Sequence, residues 1–190
     1  MKKLIVSESL TLDGVFEDPA KSPGVSFKYA GWTEPYASKE QMEYVSKNTS
    51  GDGALLLGRV TYEHLKAGWE PQKGPVADFM NNVTKYVVSK TLKKADWNNS
   101  TLIKGNIVEE IKKLKKESDK DMAVLGSGML VQTLIEHDLI DSYMLLVYPL
   151  VLGTGKRFFG DTHKAPLKLK ESKSFSTGVM FLSYEPDRKK

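Results

Sequence analysis

The feature that most constrains the fold of this chain is a set of short apolar runs that alternate with helix-like segments. Residues 54–57 and 122–125 are continuously apolar, as strands are when both faces of a sheet are covered. Helical periodicity appears between such runs, for example at Ile107, Ile111 and Leu114. This alternation predicts an α/β protein with a mostly parallel central sheet and helices on both faces.

About eight strands are predicted in all. The last two are joined by Ser176-Thr177-Gly178, which is typical of a β-hairpin, so the sheet should end in an antiparallel edge. Nothing in the sequence of 190 residues divides the chain, and one domain over residues 1–190 is expected. The predicted strands cover residues 3–9, 54–57, 86–89, 101–104, 122–125, 142–148, 167–175 and 179–184, and the predicted helices cover 38–47, 60–66, 107–117 and a segment that Gly126-Ser127-Gly128 opens.

Composition excludes several classes of protein. The chain has no cysteine, so it has no disulfide and no thiolate metal site. Its histidines lack metal-site spacing, with His64 expected at the surface, His137 on the inner face or end of a helix, and His163 in a loop. The charge at Glu8 interrupts the first apolar run, and residues 143–152 are too few for a membrane span. A cytoplasmic protein without a metal is expected.

The net charge of +4 raises the alternative of nucleic-acid binding. Much of the excess lies in residues 111–116, which fit the solvated face of an amphipathic helix, and in the tail 187–190. No nucleic-acid-binding motif accompanies these lysines, so a nucleic-acid partner is not expected, although a basic binding domain stays as an alternative.

The strongest candidate for a ligand site is Gly126-Ser127-Gly128, between a predicted strand and a predicted helix. Glycines let a phosphate approach the backbone, Ser127 adds a hydroxyl donor, and a helix N-terminus favours negative charge. The full dinucleotide-binding pattern of three glycines is missing, so a tight structural turn is the alternative.

Two further strand ends carry groups that suit an anion. Gly58-Arg59-Val60-Thr61 offers a guanidinium fork and a hydroxyl in the first turn of a helix, and Ser89-Lys90-Thr91 offers two hydroxyls and an ammonium. Each alone fits an exposed turn. Three such ends in one sheet favour a ligand with several phosphates.

Two residues are candidates on the substrate side. Asp13, in Thr11-Leu12-Asp13-Gly14, could orient a heterocycle or relay a proton, although an Asp before Gly is also common in plain turns. Trp32 could stack on a flat ring or simply pack in the core. The long irregular stretch between these two residues is longer than an idle connection needs, which favours a functional loop.

These motifs, in this order, resemble the dihydrofolate reductase-like superfamily, and within it the stand-alone proteins related to the reductase domain of the riboflavin-biosynthesis deaminase-reductase. The resemblance covers essentially the whole chain. Its anchors are Thr11-Leu12-Asp13-Gly14, residues 56–63, residues 85–89, Leu125-Gly126-Ser127-Gly128 and residues 149–155.

The resemblance implies an NADPH-dependent reductase that transfers a hydride to a small pterin- or pyrimidine-like substrate. It implies that Gly58, Arg59, Thr61, Ser89, Lys90, Thr91, Gly126, Ser127 and Gly128 hold NADPH, and that Asp13, as the catalytic candidate, and Trp32 face the substrate. A homodimer is a reasonable expectation. The alternative function is a nucleotide-binding module without catalysis. The substrate stays open, because residues 65–71 differ from the acidic-proline segment of the riboflavin-pathway reductase, and Glu40 and Glu43 do not align cleanly with the acid of dihydrofolate reductase.

Overall fold

The computed structural model describes residues 1–48, 53–160 and 164–188, which form one eight-stranded sheet flanked by five α-helices. His163 lies outside these described residues. The strands are β1 (Leu4–Thr11), β2 (Ala54–Gly58), β3 (Lys85–Val88), β4 (Ser100–Ile103), β5 (Met122–Leu125), β6 (Ser142–Tyr148), β7 (Leu167–Ser174) and β8 (Met180–Pro186). The helices are α1 (Lys39–Asn48), α2 (Arg59–Trp69), α3 (Pro75–Asn82), α4 (Ile107–Glu117) and α5 (Gly128–Glu136), and a 3-10 turn, Glu34–Tyr36, precedes α1.

The strand order is β4-β3-β2-β5-β1-β6-β8-β7. The first six strands are parallel, whereas β8 runs antiparallel to both β6 and β7. The predicted mostly parallel sheet of about eight strands with a C-terminal hairpin is therefore confirmed. The hairpin turns at Gly178, whose φ of +85° suits a residue without a side chain.

Each face of the sheet buries its own apolar layer, because β2 and its neighbours carry apolar side chains in both directions. One layer joins α4 and α5 to β1, β2 and β5 through Leu56, Val124, Ile111, Leu130 and Leu134. The other joins α2 and α3 to β2 and β3 through Leu55, Leu57, Tyr62, Met80 and Val87. Helices on both faces are thus confirmed.

Side chains cap the starts of α4 and α1. The Asn106 side chain accepts the Val108 N–H at 3.0 Å, and Ser38 Oγ accepts the Gln41 N–H at 3.2 Å. Helix α3 was missed, although Gly74 followed by Pro75 is a recognisable start signal.

The expected position of His137 at a helix end is confirmed, but its expected place on the inner face and the expected solvation of Lys115 were wrong. His137 is exposed beyond the last turn of α5, where a ring nitrogen lies 3.0 Å from the Thr133 carbonyl, while Val131 takes the inward position. Lys115, within the basic run, is not solvated: it is buried against Asp141 at 2.6 Å and donates to the Leu139 carbonyl.

The connections place a crevice between β2 and β5. These strands are neighbours in the sheet, yet β2 leads into α2 on one face and β5 leads into α5 on the other. Open α/β sheets bind ligands at the carboxyl ends of strands where the chain diverges in this way. The fold therefore directs the search for a site to this edge.

Candidate functional site

A cavity of about 440 Å³ lies at this divergence of β2 and β5. Its walls come from the loop that follows β1, from the first two turns of α2, and from the junction between β5 and α5. The lining is mainly apolar with a few polar groups, as small-molecule sites are. The residues that line it include Glu8, Phe16, Glu17, Asp18, Val25, Gly58, Val60, Thr61, His64, Leu65, Leu125, Gly126, Ser127, Gly128, Met129 and Lys156.

Hydrogen bonds join the two strand ends that the sequence singled out separately. The Gly58 N–H donates to Ser127 Oγ at 2.9 Å, and the Ser127 N–H donates to Thr61 Oγ1 at 3.0 Å. Ser127 Oγ in turn donates to the Leu125 carbonyl at 3.0 Å. The Ser127 hydroxyl hydrogen is thus engaged within the protein, whereas Thr61 accepts here and keeps its own hydrogen for another partner.

Contacts within the protein already require glycine at two positions of the turn 126–128. Gly126 has a φ of +54°, and a side chain there would come within 3.1 Å of Thr61 Oγ1. A Cβ on Gly128 would lie only 2.7 Å from the Phe16 ring. Beyond the turn, the first N–H groups of α5 have no partner within the helix. Gly128, Met129 and Leu130, which carry them, line the cavity.

The other predicted cofactor residues continue this edge outward from the cavity. Gly58 pairs with Val88 across β2 and β3, which sets Arg59 beside Ser89. The guanidinium of Arg59 pairs with Glu63 at 2.8 Å, and both side chains are exposed.

The third strand end, residues 89–91 after β3, forms hydrogen bonds mainly within its own turn. Ser89 Oγ accepts the N–H groups of Thr91 at 3.2 Å and of Leu92 at 2.9 Å. Ser89 is buried, whereas Lys90 and Thr91 are exposed, and none of the three lines the cavity. This cluster can contact a ligand that extends past the cavity, but not one confined to it.

The two residues assigned to the substrate side lie outside the cavity lining. Both oxygens of Asp13 have partners, among them the Thr11 hydroxyl at 2.6 Å and the Gly153 N–H at 2.9 Å. The Thr11 hydrogen bond is the main cause that holds the pKa of Asp13 below its usual range. Trp32 is buried edge-to-face against Tyr148, and its indole N–H donates to the Glu17 carbonyl at 2.9 Å. It therefore supports the cavity wall from behind.

Glu8 is the site residue that the sequence analysis missed. It lies on β1, lines the cavity, and its Oε2 atom is inaccessible to solvent and has no partner among the described residues. Burial raises the pKa of Glu8 to about 8, although N–H groups of Ser9 and Gly126 act in the opposite direction. A carboxylate within a predicted strand of the central sheet was the available signal, and it was used only against a signal peptide.

Other titratable groups complete the lining. Lys156 Nζ lies 2.9 Å from Glu17, and that hydrogen bond is the main cause that lowers the pKa of Glu17. Asp18 accepts the Ser22 N–H through Oδ1, while its Oδ2 is buried without a described partner. His64, expected on a helix at the surface, is partly exposed on α2 and also lines the cavity.

The described ranges, 1–48, 53–160 and 164–188, contain no group of three or more histidine or acidic side chains placed to hold a metal ion. They also contain no helix with the length and apolar character needed to cross a membrane.

Comparison with protein families gives a match over nearly the whole chain. Residues 2–181 match the model of the RibD C-terminal domain. Two relatives come from Bacillus subtilis (strain 168). The uncharacterized protein YyaP is 40% identical over 101 residues, about half of each chain (53% of both), and the uncharacterized protein YwjB is 27% identical over 94% of this chain and 95% of its own.

Two solved structures share the fold. One is a candidate riboflavin biosynthesis protein from Shewanella sp. PV-4, with a TM-score of 0.76, 21% identity, and coverage of 98% of this chain and 99% of that chain. The other is a pyrimidine reductase-like protein from Corynebacterium diphtheriae, with a TM-score of 0.66, 13% identity, and coverage of 98% and 92%. At these identities the likeness concerns the fold.

Proposed function

This chain belongs to the RibD C-terminal domain family, and on that premise we propose that it is an NADPH-dependent reductase that transfers a hydride to a C=N or C=O group of a small pterin- or pyrimidine-like substrate. Family membership and the names of the structural neighbours support a reductase. We further propose that it acts in the cytoplasm, in keeping with a chain without cysteine. We also propose that it forms a homodimer.

The observation that carries the proposal is the convergence of two helix N-termini on one cavity. The start of α2 and the start of α5 are bonded to each other through Thr61 and Ser127. Both present N–H groups without intrahelical partners, which favour an anion such as pyrophosphate.

The cavity and the open edge beside it together suit a nicotinamide dinucleotide. The cavity of about 440 Å³ can hold the nicotinamide end and part of a substrate, but not a whole dinucleotide. The remainder would follow the open edge past Gly58 towards Arg59 and Ser89. In this assignment Gly126, Ser127, Gly128, Gly58 and Thr61 hold the pyrophosphate.

The adenosine side is assigned to Arg59, Ser89, Lys90 and Thr91. Arg59 would exchange its exposed pair with Glu63 for the 2′-phosphate of NADPH, a doubly charged partner that suits the guanidinium fork. An exposed pair of this kind contributes little stability, so the exchange has a low cost.

When bound, the cofactor supplies the hydride. The protein's own part is to position the cofactor and the substrate and to exclude water from the cavity. The loop with Phe16 covers the glycine turn, and Trp32 fixes the Glu17 carbonyl behind that loop. Asp13 fastens the neighbouring segment through the N–H groups of Leu152 and Gly153. Asp13 is therefore proposed as a positioning residue, in place of direct contact with substrate.

The experiment is a titration of the chain with NADPH and with NADH, followed by an assay of cofactor oxidation with a panel of pterins, pyrimidinediones and small imines. We expect NADPH to bind more tightly than NADH and at least one compound to be reduced. Binding without turnover of any compound would favour the nucleotide-binding module. Binding of neither nucleotide, together with salt-dependent binding of an oligonucleotide, would favour the basic nucleic-acid-binding domain.

A further inference from the structure

One carboxyl oxygen of Glu8, in the cavity lining, has a position that a purely structural account leaves unexplained. Oε1 accepts the N–H of the adjacent Ser9 at 3.1 Å, but Oε2 is inaccessible to solvent and bonds to no described residue. A buried polar atom without a partner costs stability, so its retention calls for a reason. The residue lines the cavity beside Gly126, in the turn assigned to the cofactor.

From this geometry, and resting on the proposed function, we infer that Glu8 is a catalytic residue that donates the proton to the nitrogen or oxygen of the substrate's reduced double bond. Among the other described acidic residues of the cavity, Glu17 is held by Lys156. Asp18 also has one buried oxygen without a described partner, but it lies on the loop after β1, where the Ser22 N–H holds its other oxygen. Glu8 approaches the cavity from the centre of the sheet instead, on the strand between β5 and β6.

The step balances as a two-electron reduction. The substrate carbon accepts a hydride from the reduced nicotinamide, and its nitrogen or oxygen accepts the proton from the carboxyl of Glu8, which lines the cavity. The carboxyl O–H bond breaks and a new N–H or O–H bond forms. Glu8, left as a carboxylate, takes up a proton from water when the product and the oxidised cofactor leave.

Protonation of Glu8 before the reaction follows from its surroundings. Burial raises the pKa of Glu8 to about 8, so the carboxyl holds its proton at neutral pH. The charged and titratable side chains that share its cavity are Glu17 and Asp18 from the loop after β1, His64 from α2, and Lys156. Strand β5 and the first turn of α5 carry no charged side chain, and Leu145 is its partner on β6. No cation bonds to Glu8 to stabilise its charged form among the described residues.

The test compares the wild type with Glu8→Gln, which keeps the shape but cannot donate an acidic proton. Glu185→Gln is the matched control, because Glu185 pairs with Lys170 on the exposed hairpin, away from the cavity. Three quantities are measured on each protein. They are the infrared band of protonated carboxyl against pH, the affinity for NADPH, and NADPH oxidation with 6,7-dimethyl-7,8-dihydropterin or the first compound accepted from the panel above.

We expect a protonated-carboxyl band in the wild type and in Glu185→Gln that disappears with a midpoint near the Glu8 pKa of about 8, and no such band in Glu8→Gln. NADPH affinity should be the same in all three proteins. Turnover should fall by about 100-fold or more in Glu8→Gln, as for loss of a general acid. The remaining rate should lose the decline that the wild type shows at alkaline pH.

The outcomes separate the two proposals. Normal turnover and an unchanged pH profile in Glu8→Gln, with NADPH bound, would overturn the role of Glu8 and leave the reductase intact. Absence of the carboxyl band at neutral pH in the wild type would overturn it as well. Failure of the wild type to bind NADPH, or to reduce any compound, would overturn the reductase and the proton donor together.

Discussion

Two carboxyl groups on and just after β1 have opposite surroundings, although only four residues lie between them in sequence. Asp13 has a partner for each oxygen, and its pKa is lowered chiefly by the Thr11 hydroxyl. Glu8 has a buried oxygen without a described partner, and its pKa is raised by burial to about 8. The first is built to stay charged and hold a loop, and the second to stay neutral beside a cavity.

The difference teaches how to separate structural from reactive carboxyls. The family resemblance made Asp13 the catalytic candidate, although an Asp before Gly is also common in plain turns. The structure shows that this position satisfies Asp13 with N–H and hydroxyl donors. A carboxyl group in a cleft whose pKa is strongly shifted is a better candidate for a catalytic residue. Such a shift depends on burial, which no local sequence motif shows.

The largest expected effect is the pH dependence of stability that Glu8 causes. The pKa of Glu8 is raised in the folded state, so its contribution is fully present below about pH 4.5 and is lost as the pH rises to about 8. At about 1.4 kcal/mol for each pK unit, the full change is roughly 5 kcal/mol. Denaturant unfolding of wild type and Glu8→Gln from acid to alkaline pH measures it. Parallel stability curves for the two proteins would refute the neutral buried carboxyl.

For Asp13, the change of stability with pH should have the opposite sign. The pKa of Asp13 is lowered in the folded state, so its contribution is present at neutral pH and is lost as the pH falls through the folded pKa. Asp13→Asn weakens its charge-assisted hydrogen bonds to the N–H groups of Leu152 and Gly153, which should cost about 2 kcal/mol at neutral pH. Urea unfolding measures the loss. A variant of unchanged stability that cannot turn over substrate would instead restore Asp13 as a catalytic residue.

Arg59 tests the outer part of the proposed site. Arg59→Ala removes a charge-assisted bond to the 2′-phosphate worth about 1.5–3 kcal/mol, so NADPH affinity should fall by about tenfold to a hundredfold, with little effect on NADH. Glu63→Gln is the complementary variant, because it frees the guanidinium from its present partner. It should bind NADPH somewhat more tightly. Equal affinity of the wild type for both nucleotides would remove the 2′-phosphate from this edge.

Gly128 tests whether the turn itself carries the cofactor. Gly128→Val should sharply weaken NADPH binding and leave a cooperative thermal transition. The Phe16 ring lies 2.7 Å from the new Cβ, so some stability is also lost, at about 1–3 kcal/mol for an overpacked contact. Adding Phe16→Ala makes room and isolates the cofactor effect. Recovery of both stability and NADPH affinity in the double variant would show that the turn serves only packing.

Much of the fold could be predicted from sequence because strand burial leaves a direct pattern. Residues 54–57 and 122–125 had to be strands in the interior of a sheet, and β2 and β5 lie there as neighbours. Helix α3 was missed because its eight residues make little more than two turns, too short a segment for its periodicity to stand out. The register of the sheet could not be predicted, since it depends on packing between distant segments.

The candidate site likewise has residues that could be predicted from sequence and residues that could not. Gly58, Thr61 and the turn at 126–128 were found from local motifs, and the structure brings them to one cavity. Their hydrogen bonds to one another span more than 60 residues of sequence, which no local pattern records. Glu8 and His64 were missed as cavity residues for that reason, because their surroundings come from a loop and helices elsewhere in the chain.

The central claim is that the cofactor binds across the start of α5, beside Glu8. The most direct test is to follow the backbone amide resonances of the chain by NMR while NADPH is added. The claim predicts that the amides of Gly126, Ser127 and Gly128 shift most, together with those of Gly58 and Thr61, and all with one dissociation constant. Saturable NADPH binding that leaves these five amides unmoved would contradict it.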